Sequence, residues 1–486
     1  MVHNLSTFSR LSVAVIAVAV IAGCAVNPVT GKRELSLISA NQELAIGRDG
    51  YGATVAEFGL LEDASLFAYV DSIGQALAKR SEQPELGWHF TVLDDPVVNA
   101  FAMPGGYIYI TRGILAHLQS EAQLAGVLGH EIGHVTARHA ARQITQQQLT
   151  GLGIGIASIV SEDFRRYGGA AEQALGLLLL KYGRDDENQS DLLGVRYATA
   201  ANYDPREIPS TYAMLRRIGE RSGQRLPSFL STHPDPGDRE VRTAALAREA
   251  AAGKTGLLIR QRAFLERLKG LAYGEDPRQG YFEESRFFHP TLGFEMGFPA
   301  GWQTQNSRAA VSAQSQDRKS MMQLSLATDA RALSPAEYVA ALQRDGRIAS
   351  AHGRSETIGG WPAWTGRLAL PAKDGTTVTI PAAFVRQAPD RLVQFIARVP
   401  DEAGERQMLQ AVRSLRPLID PARARALPAR LGLVPAPVAG SFESIHGRIG
   451  GNGLTLAEAA LLNGVEPDEG VQAGVWIKVV EPARLR

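Results

Sequence analysis

The sequence predicts a multidomain protein: a mainly α domain holding a small β-sheet, then an α+β domain, then a small α/β unit. Three observations carry this reading. Residues up to about 272 are dominated by helical periodicities around one strand-like stretch. A turn-forming segment, Gly274-Glu275-Asp276-Pro277-Arg278-Gln279-Gly280, then ends an arginine-rich helical run from Arg239 to Leu271. A proline-rich connector, Pro421 to Pro437, precedes the last unit. With 486 residues, 45% hydrophobic and 21% charged, the chain has room for two or three cores. The expected boundaries are a leader at 1–23, the first domain at 24–272, the second at 282–420, a linker at 421–438 and the last unit at 439–486.

The stretch that carries chemistry lies in the first domain. Ser120 with Gln123 three residues on reads as a capping box, and Leu124, Leu128, Ile132 and Val135 recur at helical spacing. The helix they predict contains His130-Glu131-Ile132-Gly133-His134. At 3.6 residues per turn, positions i and i+4 lie one above the other, so both imidazoles can face one ion. Glu131 leaves the same turn and could act as general base, taking a proton from a water whose pKa a zinc ion lowers to roughly 7.

A catalytic zinc takes three protein ligands and leaves one position open, and two histidines with one glutamate form a standard set. Downstream, Tyr182-Gly183-Arg184-Asp185-Asp186-Glu187-Asn188-Gln189-Ser190-Asp191 opens a second predicted helix. Glu187 there could be the third ligand, and Asp191, one turn on, could accept the remaining N–H of a ligand histidine. The alternative is that Asp185, Asp186 and Glu187 form a polar first turn favoured by the helix dipole. The longer HExxHxxGxxH pattern fails, because Ala137 and Ala140 stand where it needs glycine and histidine. His139 falls one residue short of that last position and reads as a structural or surface residue.

On these residues the chain resembles the gluzincin family that includes the CAAX prenyl endopeptidases, the membrane protease HtpX and the periplasmic β-barrel assembly-enhancing proteases. Four segments carry the resemblance in the family's order: Asn99-Ala100-Phe101-Ala102-Met103-Pro104-Gly105-Gly106, His130 to His134, Glu187 to Asp191 as ExxxD, and Ser231-Thr232-His233-Pro234 with Arg239. It spans roughly residues 25 to 270. It implies a zincin-like metallopeptidase domain with His130, His134 and Glu187 on one Zn2+, Glu131 catalytic, and polypeptide substrates. Where the family commonly has Glu-Ala before the aspartate of ExxxD, this chain has Gln189-Ser190. In the periplasmic members a histidine at the His-Pro position lies near the metal, so the resemblance makes His233 a candidate fourth ligand that would hold the site closed. The plainer alternative is that His233 and Arg239 anchor the loop by hydrogen bonds or assist an oxyanion.

The segment before the HExxH helix also reads physically. Met103-Pro104-Gly105-Gly106 is turn chemistry, and Tyr107-Ile108-Tyr109-Ile110-Thr111 is a β-branched and aromatic strand. A sheet edge beside a metal would suit capture of extended peptides through main-chain hydrogen bonds. An ordinary core strand is compatible with the same residues.

Arg10 precedes an apolar run, Leu11 to Val20, too short to span a bilayer and suited to a signal-peptide core. Ile21-Ala22-Gly23-Cys24 then resembles a bacterial lipobox, and Cys24 is the chain's one cysteine, which excludes an internal disulfide. The expectation is lipidation at Cys24 and a periplasmic protein held to a membrane. Ala25, not an aspartate, in the next position resembles the enterobacterial sorting pattern that implies the inner leaflet of the outer membrane rather than the inner membrane. An uncleaved N-terminal anchor would leave the domains in the same compartment.

A net charge of +1 and the lack of basic patches with interleaved aromatics exclude nucleic acid as a partner. Gly151 to Val160 and Leu175 to Leu180 are apolar, but neither reaches the roughly 20 residues of a spanning helix; buried helices on a glycine-rich connection are expected. In the second domain, strand runs at Gly293 to Phe298, Met321 to Ala327, Thr376 to Ile380 and Arg391 to Arg398 alternate with helices at Pro335 to Arg344 and Glu402 to Leu415. The phrase Pro290 to Trp302 loosely resembles the PsbP-like fold, and no catalytic constellation appears there. In the last unit, Thr455 to Gly464 and Val471 to Val480, with a first strand expected near Phe442 to Gly447, resemble a degenerate LysM module. That resemblance implies a peptidoglycan tether, against a plain packing role. Two functions follow as expectations. One is a zinc endopeptidase acting on misfolded or stalled envelope proteins, outer-membrane proteins among them. The other is a chaperone-like or wall-tethered scaffold with a closed or structural metal site. An intact Glu131 favours the first.

Overall fold

The computed structural model describes residues 24–149, 181–221, 229, 232–234, 236–327, 332–371, 376–450 and 453–481. The expected leader at 1–23, the apolar runs at 151–160 and 175–180, and Ser231 lie outside the described residues. The chain divides into two compact units, one made of residues 1–273 with 430–482, the other centred on 274–429.

In the first unit, strands β1 (Cys24–Val26) and β2 (Arg33–Leu35) form a hairpin ahead of helices α1 (Ala40–Phe58) and α2 (Ala64–Ala78). Asp63 caps α2 by accepting from the Ser65 and Leu66 amides. Its Leu66, Val70, Ile73 and Leu77 are all buried, each such side chain contributing about 1.5–3 kcal/mol of transfer free energy. A three-stranded sheet follows: β3 (His89–Leu93), β4 (Ala100–Met103) and β5 (Tyr107–Thr111), in the order β3-β5-β4. β3 runs parallel to β5 and β4 antiparallel to it, which leaves β4 at the edge. The β4–β5 turn contains Gly105 and Gly106 at φ +82° and +90°, a region glycine enters without steric cost. A Cβ at Gly105 would lie 2.8 Å from the Glu43 carbonyl oxygen, because α1 packs on this turn.

Thr111 ends β5 and caps α3 (Arg112–His117), and Ser120 caps α4 (Glu121–Thr136) by accepting from the Gln123 amide. The reciprocal half of the expected capping box differs: the Gln123 side chain accepts from the Gln119 amide at 2.7 Å. The apolar spacing suggests one buried stripe, yet α4 is buried on nearly every side. It is the central helix of the unit, surrounded by α2, the sheet, and the helices α6 (Arg184–Ala200) and α7 (Ile208–Arg221). Between α4 and α6 runs α5 (His139–Leu149); α8 (Pro236–Ala251) and α9 (Gln261–Leu268) follow α7.

The C-terminal segment corrects two expectations. Part of the expected linker 421–438 is a strand, Ala429–Pro435, antiparallel to Trp476–Glu481. Pro428 and Pro435 bracket its apolar run, where missing amide donors cost least. Phe442 to Gly447 is helical: Phe442–Ile449 is capped by Ser441 and buries Phe442 and Ile445 one turn apart. With the helix Leu456–Asn463, these elements belong to the same compact unit as residues 24–273. Lys478 Nζ donates to the Ala116 and Leu118 carbonyls at the end of α3, Gln119 to Leu462, and Arg217 to Val465.

The second unit is α+β. A seven-stranded antiparallel sheet runs in the order 303–306, 310–314, 321–326, 391–398, 377–388, 361–371, 350–358. Helix Glu402–Arg413 packs with Ala383, Val385 and Phe395, whereas Pro335–Arg344 packs with Ala382, Phe384 and Trp364. Residues one apart on a strand face opposite ways, so the two helices cover opposite faces. No described helix is long and apolar enough to cross a membrane.

Candidate metal centre

α4 supplies His130, Glu131 and His134, α6 supplies Glu187 and Asp191, the short turn before α8 supplies His233, and α8 supplies Arg239; all seven are buried. One ligand atom each from His130, His134, Glu187 and His233 lies within 4.8 Å of the others. The two Nε2 atoms of His130 and His134 are 3.0 Å apart, and Glu187 carboxylate oxygens lie 3.6 and 3.5 Å from them. His233 Nδ1 is 2.9 Å from Glu187 Oε1 and 3.4 Å from His130 Nε2. The expected cluster thus assembles, with His233 inside it. Cys24 pairs with Leu35 in the β1–β2 hairpin.

Asp191 is the anchor of the surrounding shell. It lies 3.1 Å from His130 Nδ1 and accepts from Tyr212 Oη at 2.6 Å, from Arg239 Nη2 at 2.6 Å and from Arg242. Arg239 also bridges to Glu187 at 2.5 Å and lies over the Tyr212 ring. Its observed place is therefore between the two α6 carboxylates. Burial pushes both carboxyls up, but in Glu187 the charges of His233 and Arg239 outweigh it and hold the group at about 2. In Asp191 the same contest, won by Arg239 and His130, leaves it well below the usual carboxylate range. Glu131 is different: burial raises it, and neither of its oxygens has a hydrogen-bond partner among the described residues.

These atoms fit a dication. Four buried ligand atoms, from His130, His134, Glu187 and His233, converge beside a Glu131 carboxylate with no hydrogen-bond partner among the described residues; a buried charge is costly unless paired or metal-bound. Burial holds His134 well below its ordinary value, the neutral form a metal requires.

Some participants were not singled out by spacing. Tyr182 packs on His134 in a tilted arrangement with centroids 4.0 Å apart, and Phe229 stacks on His233 at 4.5 Å. Tyr212 reaches Asp191 from α7. His139 is buried against His134 and is no surface residue; its near-miss of the longer histidine pattern was the one signal available in the sequence.

Two helices presenting HExxH and ExxxD around a buried metal-binding cluster define a metallopeptidase-type site. Residues 64–247 match the model of Peptidase family M48. Among curated proteins, the mitochondrial metalloendopeptidase OMA1 of Arabidopsis thaliana is 34% identical over 193 residues, covering 38% of each chain. The β-barrel assembly-enhancing protease of Escherichia coli K12 is 28% identical over 221 residues, 44% of this chain and 45% of that one. The chain therefore spans less than half the length of these relatives. Among solved structures, cyanobacterial PsbP from Synechocystis sp. PCC 6803 is 12% identical with a TM-score of 0.22, covering 28% of this chain and 94% of that one, a likeness too low to carry an argument.

Proposed function

We propose that the protein is a zinc-dependent endopeptidase of the bacterial envelope, with one Zn2+ held by His130, His134 and Glu187 and with Glu131 as general base. The observation that carries this is the convergence of those three ligand residues beside a buried Glu131 with no hydrogen-bond partner among the described residues. Zinc bound there would supply Lewis-acid chemistry that makes a water acidic enough to lose its proton near neutral pH. Glu131 receives that proton, and its burial, by raising its pKa, suits it to pass the proton on to a leaving amine. Asp191 orients His130 and thereby the ligand set. The position of β4 at the end of the sheet, beside α4, suits an extended polypeptide, which would add through main-chain hydrogen bonds.

The relatives' names support a protease and, in the bacterial case, one tied to β-barrel assembly. From the lipobox-like residues before Cys24 we infer a lipid anchor and a periplasmic site at the outer membrane, with misfolded or stalled envelope proteins as substrates. The LysM-like C-terminal segment supports peptidoglycan contact. His233, 2.9 Å from Glu187, supports a self-inhibited state in which it takes the position a water would need. The same closeness is what favours a second reading, a chaperone-like scaffold with a closed metal site.

Metal content and casein cleavage, measured on the chain from Ala25 onward, test the proposal. One zinc per chain, with cleavage lost in Glu131→Gln or unmasked in His233→Ala, supports the peptidase. Zinc bound with no cleavage by wild type or His233→Ala overturns it in favour of the scaffold.

A further inference from the structure

His134 reaches the ligand cluster through Nε2, so as a neutral metal ligand it carries its proton on Nδ1. That Nδ1 lies 3.0 Å from Nδ1 of His139. Two N–H donors cannot share one contact, so His139 Nδ1 is the acceptor and the proton of His139 sits on Nε2. His139 Nε2 in turn lies 2.9 Å from Oε1 of Gln189, an amide oxygen that can only accept. Ser190 Oγ is 3.3 Å from His139 Nδ1, and its rotatable hydroxyl is compatible with an acceptor there.

The backbone explains how residues five apart come to face each other. On a continuous helix positions i and i+5 diverge by about 140°. Here α4 ends at Thr136 and α5 begins at His139, with Arg138 between them at φ +56°. That reversal turns the His139 ring back toward His134. Arg138 is held there by Glu43 at 3.1 Å and the Ile38 carbonyl at 2.9 Å. Gln189 comes from α6, two residues after Glu187 and two before Asp191.

We propose that Gln189 and His139 are positioning residues: the Gln189 amide oxygen sets the tautomer of His139, and His139 then fixes His134 with Nε2 turned to the metal. The inference rests on the metal-site reading above. It makes the two ligand histidines unlike, His130 backed by the Asp191 carboxylate and His134 backed by a neutral ring whose orientation depends on an amide.

Two measurements on the full chain test it. Nitrogen-15 NMR of selectively labelled histidines, in metal-free and zinc-loaded protein, should show His139 protonated on Nε2 and bare on Nδ1. A proton on His139 Nδ1 overturns the relay, and the metal-free spectrum reveals it even if zinc binding itself fails. Zinc affinity by chelator competition should fall about 10–100-fold in Gln189→Leu, which removes the acceptor. It should be retained in Gln189→Glu, which keeps it. No loss in Gln189→Leu, or equal losses in both variants, overturns the proposal.

Discussion

Gly129 and Gly194 bring α4 and α6 into backbone contact: a Cβ on Gly129 would lie 3.1 Å from Gly194 Cα, and one on Gly194 would lie 3.0 Å from the His130 amide nitrogen. This approach is what lets carboxylates on one helix reach imidazoles on the other. Gly133 adds to the seam, since its Cβ would lie 3.1 Å from Leu193 Cβ. Gly194→Val should force the helices apart at a cost of about 1–3 kcal/mol. The expected outcome is a folded protein by circular dichroism with much weaker zinc uptake by calorimetric titration; full zinc affinity in a folded variant would show that the seam does not set the site.

Glu131→Gln should keep the metal and lose the chemistry. Neither Glu131 oxygen has a hydrogen-bond partner among the described residues, so an amide of the same shape fits. Removing a general base lowers kcat by roughly 10²–10⁴-fold. Steady-state cleavage of a fluorogenic peptide, alongside zinc determination by mass spectrometry, reads both quantities.

His233→Ala removes the fourth donor of the cluster, and with it the contact to Glu187 Oε1, while leaving the three proposed ligands in place. If His233 holds the site closed, peptide cleavage rises while one zinc per chain remains. Activity unchanged or lower would leave His233 as an anchoring residue.

The C-terminal segment should hold more firmly as pH rises. Lys478 is 1% exposed and donates to the Ala116 and Leu118 carbonyls at 2.7 and 3.0 Å. Burial pushes its pKa well below 10.5, so the folded state favours a neutral amine, whose two N–H groups match two acceptors. A basic group with a depressed folded pKa binds fewer protons folded than unfolded. Its stabilising contribution is full above 10.5 and is lost as pH falls toward the folded value. The Tm of wild type relative to Lys478→Met should therefore increase from neutral pH toward pH 10, as followed by thermal denaturation. A flat difference would place the charged form in the folded state.

Local spacing was enough to establish α4 with His130, Glu131 and His134 on it, and α6 with Glu187 and Asp191, because i and i+4 positions share a helix face whatever surrounds them. In the C-terminal segment the same reasoning failed: prolines near 428 to 437 read as a linker but bracket a strand, and Phe442 to Gly447 is a helix. Packing decided those elements, since the strand Ala429–Pro435 exists through its pairing with residues 476–481. Everything that converts the motifs into a site belongs to the tertiary level. His130 and His233 are 103 residues apart in sequence, and Tyr212 has no spacing relation to the two helices that would mark it. Periodicity reports the direction of a side chain on its own element; which distant side chain meets it depends on how elements cross, and here two glycines allow that crossing.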